Sequence, residues 1–180
     1  SCDPDCNENL IPDFLEIQVG LADDCDGNWV PDECDHSSVA NITPEEYLAI
    51  YFGSVVDLEE DHLVIGMPNW NGSRGIVTIY QIDATPGVEI NRAVCHLWGS
   101  QDYGDLFGTS VAISGSTIAV GESGSPNNDG RVYIFEQVGD TQEWALADVI
   151  ESPIGGGYSF GSCLDIDGDN LVVSTFRSGI

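Results

Sequence analysis

Within the first 35 residues, oxygen-bearing groups recur at every second position. Asp5, Asn7, Asn9, the Ile11 carbonyl, Asp13 and Glu16 take positions 1, 3, 5, 7, 9 and 12 counted from Asp5. Asp24, Asp26, Asn28, the Val30 carbonyl, Asp32 and Asp35 take the same positions counted from Asp24. Along a tight loop this spacing turns alternate side chains onto one centre, and that many oxygens suit a hard cation, Ca²⁺ above all. Zinc is a poor match, because the donors are oxygens and the cysteines lack paired Cys-x-x-Cys spacing. The same residue types also favour plain Asx turns with no ion. With three acids in the first loop and four in the second, the second is expected to bind more tightly. Asp35, shorter than a glutamate at position 12, narrows that difference.

The elements that must position these groups follow from their neighbours. Pro12 and Pro31 stand at position 8, well placed to begin a helix, and residues 13–19 could form a short one ending at Gly20. Position 6, where such a turn takes glycine, is Leu10 in one loop and Trp29 in the other. Either Asn9 and Asn28 adopt the left-handed backbone instead, or the sites are strained and weak. The two segments repeat with a period of 19. As EF-hand-like loops each followed by a turn into helix, they resemble the calcium repeats of dockerin modules and the thrombospondin type 3-like repeats of bacterial surface proteins. That resemblance covers residues 1–35 and implies calcium binding there.

The charge is as lopsided as the loops. Thirty-one Asp and Glu face four basic residues, all arginine, for a net charge of −27. Such a chain lacks the cations needed to displace counterions from phosphates, so nucleic acids and anionic membranes are excluded as partners. Four of the six cysteines, Cys2, Cys6, Cys25 and Cys34, crowd into the acidic segment, which has too little apolar sequence for a core. Such a module needs disulfides or metal, which points to an oxidising, extracellular or cell-surface location. No apolar run is long enough for a transmembrane segment. The chain opens on Ser1-Cys2, so an export signal is expected to be removed or to lie upstream.

A second repeat system follows, with copies 55 and 53 residues apart. Phe52-Gly53-Ser54-Val55-Val56 lies over Phe107-Gly108-Thr109-Ser110-Val111 and Phe160-Gly161-Ser162-Cys163-Leu164. In each copy two apolar runs flank a tight turn, Glu60-Asp61, Gly115-Ser116 or Gly168-Asp169, which predicts a β-hairpin. A third run begins at Gly75 and Gly130, and a fourth covers residues 93–97 and 144–150. Four strands per unit of this length is the pattern of a propeller blade.

The Phe-Gly-x-Ser-Val stretch, followed by a Leu-Val-Ile-Gly-x-Pro type strand, resembles the FG-GAP repeat, the blade unit of integrin α-like propellers and of many bacterial secreted proteins. The resemblance covers roughly residues 50–180. It departs where Gly66-Met67-Pro68 becomes Gly121-Glu122-Ser123 and where the closing glycine becomes Ser174. The expected architecture is therefore mainly β: a partial β-propeller of two to three FG-GAP-like blades over residues 37–180, preceded by a calcium-loop and short-helix module over residues 1–36. Propellers close with about four to eight blades. The chain thus reads as a fragment or an assembling subunit, and its open blade edges are expected to self-associate.

Other candidates have plainer readings. Asp165-Ile166-Asp167-Gly168-Asp169-Asn170 is too short between apolar runs for a calcium loop and reads as a primed hairpin turn, and residues 127–130 likewise read as a turn. His36, His62 and His96 lie in no nucleophile motif. Cys95 and Cys163 are expected to pack within strands as small apolar side chains, with a mutual disulfide as the lesser alternative. Trp70, Trp98 and Trp144 suit either a carbohydrate surface or packing between blades. Asn41-Ile42-Thr43 and Asn71-Gly72-Ser73 have the form of glycosylation acceptors.

The reading that follows is a secreted or cell-surface, non-enzymatic calcium-binding protein that presents propeller loops to a protein or carbohydrate ligand in an adhesion role. Alternatives are a dockerin-like anchoring module of a larger assembly and an accessory part of a carbohydrate- or lipid-degrading enzyme.

Overall fold

Alternating apolar positions in the later repeat produce strands where the turns predict them. The computed structural model describes residues 15, 18–20, 51–82, 93–124, 129–155 and 157–176. Strands β1 (Val55–Glu59), β2 (His62–Met67), β3 (Ile76–Gln81) and β4 (Ala93–Leu97) form one antiparallel meander in sequence order. Strands β5 (Phe107–Ser114), β6 (Thr117–Glu122), β7 (Arg131–Gln137) and β8 (Trp144–Glu151) form a second, and β9 (Leu164–Asp167) pairs with β10 (Asn170–Val173) as the hairpin that opens a third. All ten belong to one compact unit, Ile42–Asp83 with Ile90–Ile180. In the other unit Leu15, Gln18 and Val19 are helical, and Gly20 follows at φ +73°, as the sequence predicts for a helix end.

The hairpin turns fall on the predicted pairs. In each, the first turn residue has positive φ: 51° at Glu60, 54° at Gly115 and 54° at Gly168. The backbone twist of primed turns, which suits paired strands, requires this. A β-bulge interrupts β3–β4 at Ile79/Tyr80 and recurs in β7–β8 at Ile134/Phe135, the corresponding place. These two meanders and the hairpin make the chain mainly β, with the blade order of a partial β-propeller.

Apolar faces of successive sheets meet. Val64, Val77, Ile79 and Leu97 of the first meander form one core with Val111, Ile113, Ile118, Val120, Tyr133, Phe135 and Trp144 of the second. Ala112, Ala119 and Val132 pack with Phe160 and Leu164 of the hairpin. Full burial of side chains of this size contributes roughly 1.5–3 kcal/mol each. Val56 and Leu58, which occupy the positions of buried Val111 and Ile113, are 56% and 57% exposed.

At the joint the sheets approach by backbone. Gly75 forms a parallel bridge to Phe107, and Gly130 forms the same bridge to Phe160. A Cβ on Gly75 or Gly130 would strike the carbonyl oxygen of the bridged phenylalanine, and one on Gly66 or Gly121 would strike that of Gly108 or Gly161. The Phe-Gly pair of one unit therefore seats against two glycines of the unit before it. Glycine is required on both sides, because Gly75 and Gly108 also adopt φ of +80° and +83°. Further hydrogen bonds cross the joint: the Ile113 N–H donates to Asp57 Oδ2 at 2.8 Å and the Gly115 N–H to Glu59 Oε2 at 2.6 Å. In the next copy the Gly168 N–H donates to Ser114 Oγ at 3.1 Å.

Candidate functional site

In an antiparallel meander alternate connections share one end. The β2–β3 and β4–β5 connections of the first sheet therefore lie together, beside the start of β7 in the second. Two groups of side chains gather at this end. One is polar and buried, the other aromatic and partly exposed.

The polar group centres on Glu122, which ends β6 and is fully buried. Its counterpart in the first sheet is Met67, opposite Ile76, whereas Glu122 stands opposite Arg131. The repeat thus replaces an apolar cross-strand pair with a charged one. Glu122 Oε1 accepts hydrogen bonds from the Ser100 N–H and hydroxyl, each at 3.0 Å, and Oε2 accepts one from the Tyr133 hydroxyl at 2.9 Å. Arg131 Nε lies 3.7 Å from Glu122 and 3.6 Å from Glu151, attracted to both but too far to hydrogen-bond either. Gly99 makes room for the carboxylate, since a Cβ there would strike both Glu122 and the Phe107 ring. The Ser100 hydroxyl also contacts the buried carboxylate of Asp105.

One hydroxyl hydrogen cannot serve two carboxylates. The two carboxylates therefore compete for the Ser100 hydroxyl. Burial raises the Glu122 pKa above the usual carboxylate range, and the nearby Asp105 charge adds to the rise against the hydrogen bonds from Ser100 and Tyr133. Burial likewise pushes the Tyr133 phenol up to about 12, keeping it a donor. A raised carboxyl pKa means that the folded state holds its proton more tightly than the unfolded state. The Glu122 contribution is therefore fully present below the ordinary glutamate pKa and is lost as pH rises through the folded value. Denaturant midpoints measured from pH 4 upward should fall over that window, and Glu122→Gln should flatten the slope. An identical pH dependence in the variant would exclude Glu122 as its source.

The aromatic group comes from the connections. The rings of Trp70 and Trp98 meet at 5.2 Å between centroids with a 59° tilt. His96 lies 6.3 Å from Trp98, its Nδ1 at 3.0 Å from Thr78 Oγ1. Tyr103 covers the Gly72 turn, and the Arg74 guanidinium sits 3.8 Å above its ring. Arg74 Nε donates to the Gln101 carbonyl at 2.8 Å, tying the two connections together. Trp98 is 43% and Tyr103 73% exposed. Trp144, by contrast, lies in the core against His62.

The residues that the sequence assigns to calcium, Asp5, Asn7, Asn9, Ile11, Asp13, Glu16, Asp24, Asp26, Asn28, Val30, Asp32 and Asp35, lie outside the described residues, as do Cys2, Cys6, Cys25, Cys34, His36, Asn41 and residues 127–128. Among the described residues no three His, Cys, Asp or Glu side chains converge to hold a metal. Residues 168–169 form the expected hairpin turn. Cys95 and Cys163 are free thiols. Cys95 lies half-buried in β4, and its pKa is raised by burial. Cys163 corrects the expectation of a packed strand residue: it precedes β9 and is exposed. Its counterpart Ser110 is buried, donating its hydroxyl to the Gly161 carbonyl at 2.7 Å, and among the described residues nothing covers Cys163 in that way. Sequence reasoning missed Glu122, Ser100, Asp105 and Arg131. The one available signal was the change from Met67 to Glu122 between aligned copies.

Comparison with known families agrees with this architecture. Residues 101–135 match the family model described as the FG-GAP repeat. The match runs from the β4–β5 connection through β5 and β6 into β7, so it includes the Phe107-Gly108 joint and Glu122. This segment is an FG-GAP repeat, which suggests an integrin-like propeller and fits an interaction role. No curated protein matches the chain. No helix among the described residues is long and apolar enough to cross a membrane.

Proposed function

We propose that this is an extracellular or cell-surface, non-enzymatic interaction protein. Its propeller blades present a loop end to a partner, and its acidic N-terminal loops bind Ca²⁺. The observation that carries the interaction reading is the gathering of the β2–β3 and β4–β5 connections at one end of a rigid, glycine-jointed pair of sheets. Binding groups held on loops by a packed scaffold are the usual arrangement in such proteins. FG-GAP repeats are typical of extracellular and cell-surface proteins, in keeping with the cysteine-rich acidic segment. Glu122, whose pKa is raised by burial, is fully buried and committed to internal partners.

Two measurements test the two parts. Isothermal titration of the metal-free chain with CaCl2 should give saturable heat, and Asp24→Ala with Asp26→Ala should remove the tighter component. No saturable heat would sink the calcium assignment. For the interaction role, the chain is passed over an array of immobilised extracellular-matrix proteins and glycans. Failure to bind any member of either half would overturn it.

A further inference from the structure

We infer that Trp98, braced by Trp70, forms a stacking platform for a neutral saccharide at the loop end of the first blade. This names a ligand class for the interaction surface proposed above and rests on that reading. The first observation is that these aromatics are not required by the repeat. Aligned copies place Ser125 at the position of Trp70, Glu151 at that of Trp98 and Gly156 at that of Tyr103. Residues that the joint needs, such as Phe107 and Phe160 or Gly75 and Gly130, recur in both copies. The aromatic group belongs to one blade's loops alone, and Trp98 keeps 43% of its surface in water.

Geometry and charge select the ligand. An aromatic cage for an organic cation must hold its rings apart around the charge. Here the indoles touch at 5.2 Å, leaving no space between them, and Arg74 already supplies the cation over Tyr103. Anionic ligands are opposed by a net charge of −27. What remains is a flat, uncharged molecule with one apolar face and hydroxyls around its rim, which is the form of a pyranose ring. Its C–H face would stack on the exposed Trp98 indole, which Trp70 braces from the core side at a 59° tilt, and its hydroxyls would meet the adjoining turn. One donor comes from the β2–β3 connection, where Asn71 follows Trp70 and is exposed, held at φ 49°.

The test is a tryptophan-fluorescence titration of the full chain with cellohexaose, laminarihexaose and chitohexaose, and with choline as a cationic probe. At least one hexasaccharide should give a saturable change, weakened tenfold or more by Trp98→Ala with an unchanged circular-dichroism spectrum. Absence of a response to all three sugars, a response to choline alone, or equal affinity in Trp98→Ala would each overturn the inference. Should Trp98→Ala lose its native spectrum, Trp98→Phe, which retains a ring against Trp70, takes its place; a threefold or greater loss supports the platform and unchanged affinity overturns it. Binding on the array confined to matrix proteins would remove the saccharide inference and leave the interaction reading standing.

Discussion

Gly75→Ala is expected to cost about 3–5 kcal/mol of stability, because a left-handed backbone and an overpacked contact are both forced at one residue. Gly75 holds φ +80°, and its missing Cβ is where the Phe107 carbonyl oxygen lies. Phe107 and Leu106 also donate their N–H groups to the carbonyls of Arg74 and Ser73, at 3.2 and 2.9 Å, so any shift of Gly75 pulls on the whole bridge. The molecule supplies its own control. Gly53 and Gly108 are the same motif position, with φ of +76° and +83°, yet a Cβ on Gly53 meets nothing within 4 Å. A Cβ on Gly108 would come within 2.9 Å of Val77 Cγ2 and 3.1 Å of the Ile76 carbonyl oxygen. Gly53→Ala should show the backbone cost alone, about 1–2 kcal/mol, and Gly108→Ala should exceed it. Denaturant unfolding reads all three. A Gly75→Ala variant within 1 kcal/mol of the parent would show that the bridge does not hold the sheets together.

Glu122→Ala should be nearly as damaging, about 3–5 kcal/mol, the usual result of removing one partner from a buried charged pair. It takes away one of the two carboxylates beside Arg131, leaves the Tyr133 hydroxyl and the Ser100 N–H without their acceptor, and opens a void beside Phe107. The first sheet shows how the same place can be filled without charge. Glu122→Met with Arg131→Ile copies the Met67–Ile76 pair, and apolar replacement of a whole buried pair is often neutral or stabilising. The double variant should therefore recover most of the loss, short of the about 1–3 kcal/mol that an unpartnered Tyr133 hydroxyl costs. A double variant as unstable as Glu122→Ala would mean that Glu122 holds the loop end together chiefly through Ser100.

The strands were legible in the sequence because they depend on local alternation and on two-residue turns. β4 spans the predicted residues 93–97, and the turns at residues 60–61, 115–116 and 168–169 fall as read. The joint was legible only as a recurrence of Phe-Gly and later glycines. That Gly75 faces Phe107, and Gly66 faces Gly108, is a long-range fact that no local pattern encodes. The Glu122 cluster was hidden for the same reason, since its partners Ser100, Asp105, Arg131 and Tyr133 come from separate connections and strands. The tryptophans looked alike in sequence, but Trp144 points into the core between sheets while Trp98 caps a strand end and remains in water. The acidic loops carry the clearest chemical pattern in the chain, and they lie outside the described residues.

The backbone bridge within the joint, made from glycines and main-chain oxygens, does not depend on which side chains the neighbouring loops carry. Each unit offers the same plug and accepts the same plug, so copies are interchangeable parts. Duplication of a unit then yields a working neighbour at once, and the loops between plugs are released from any duty to the assembly. That freedom is how one blade can carry two tryptophans at a place where the next carries serine and glutamate.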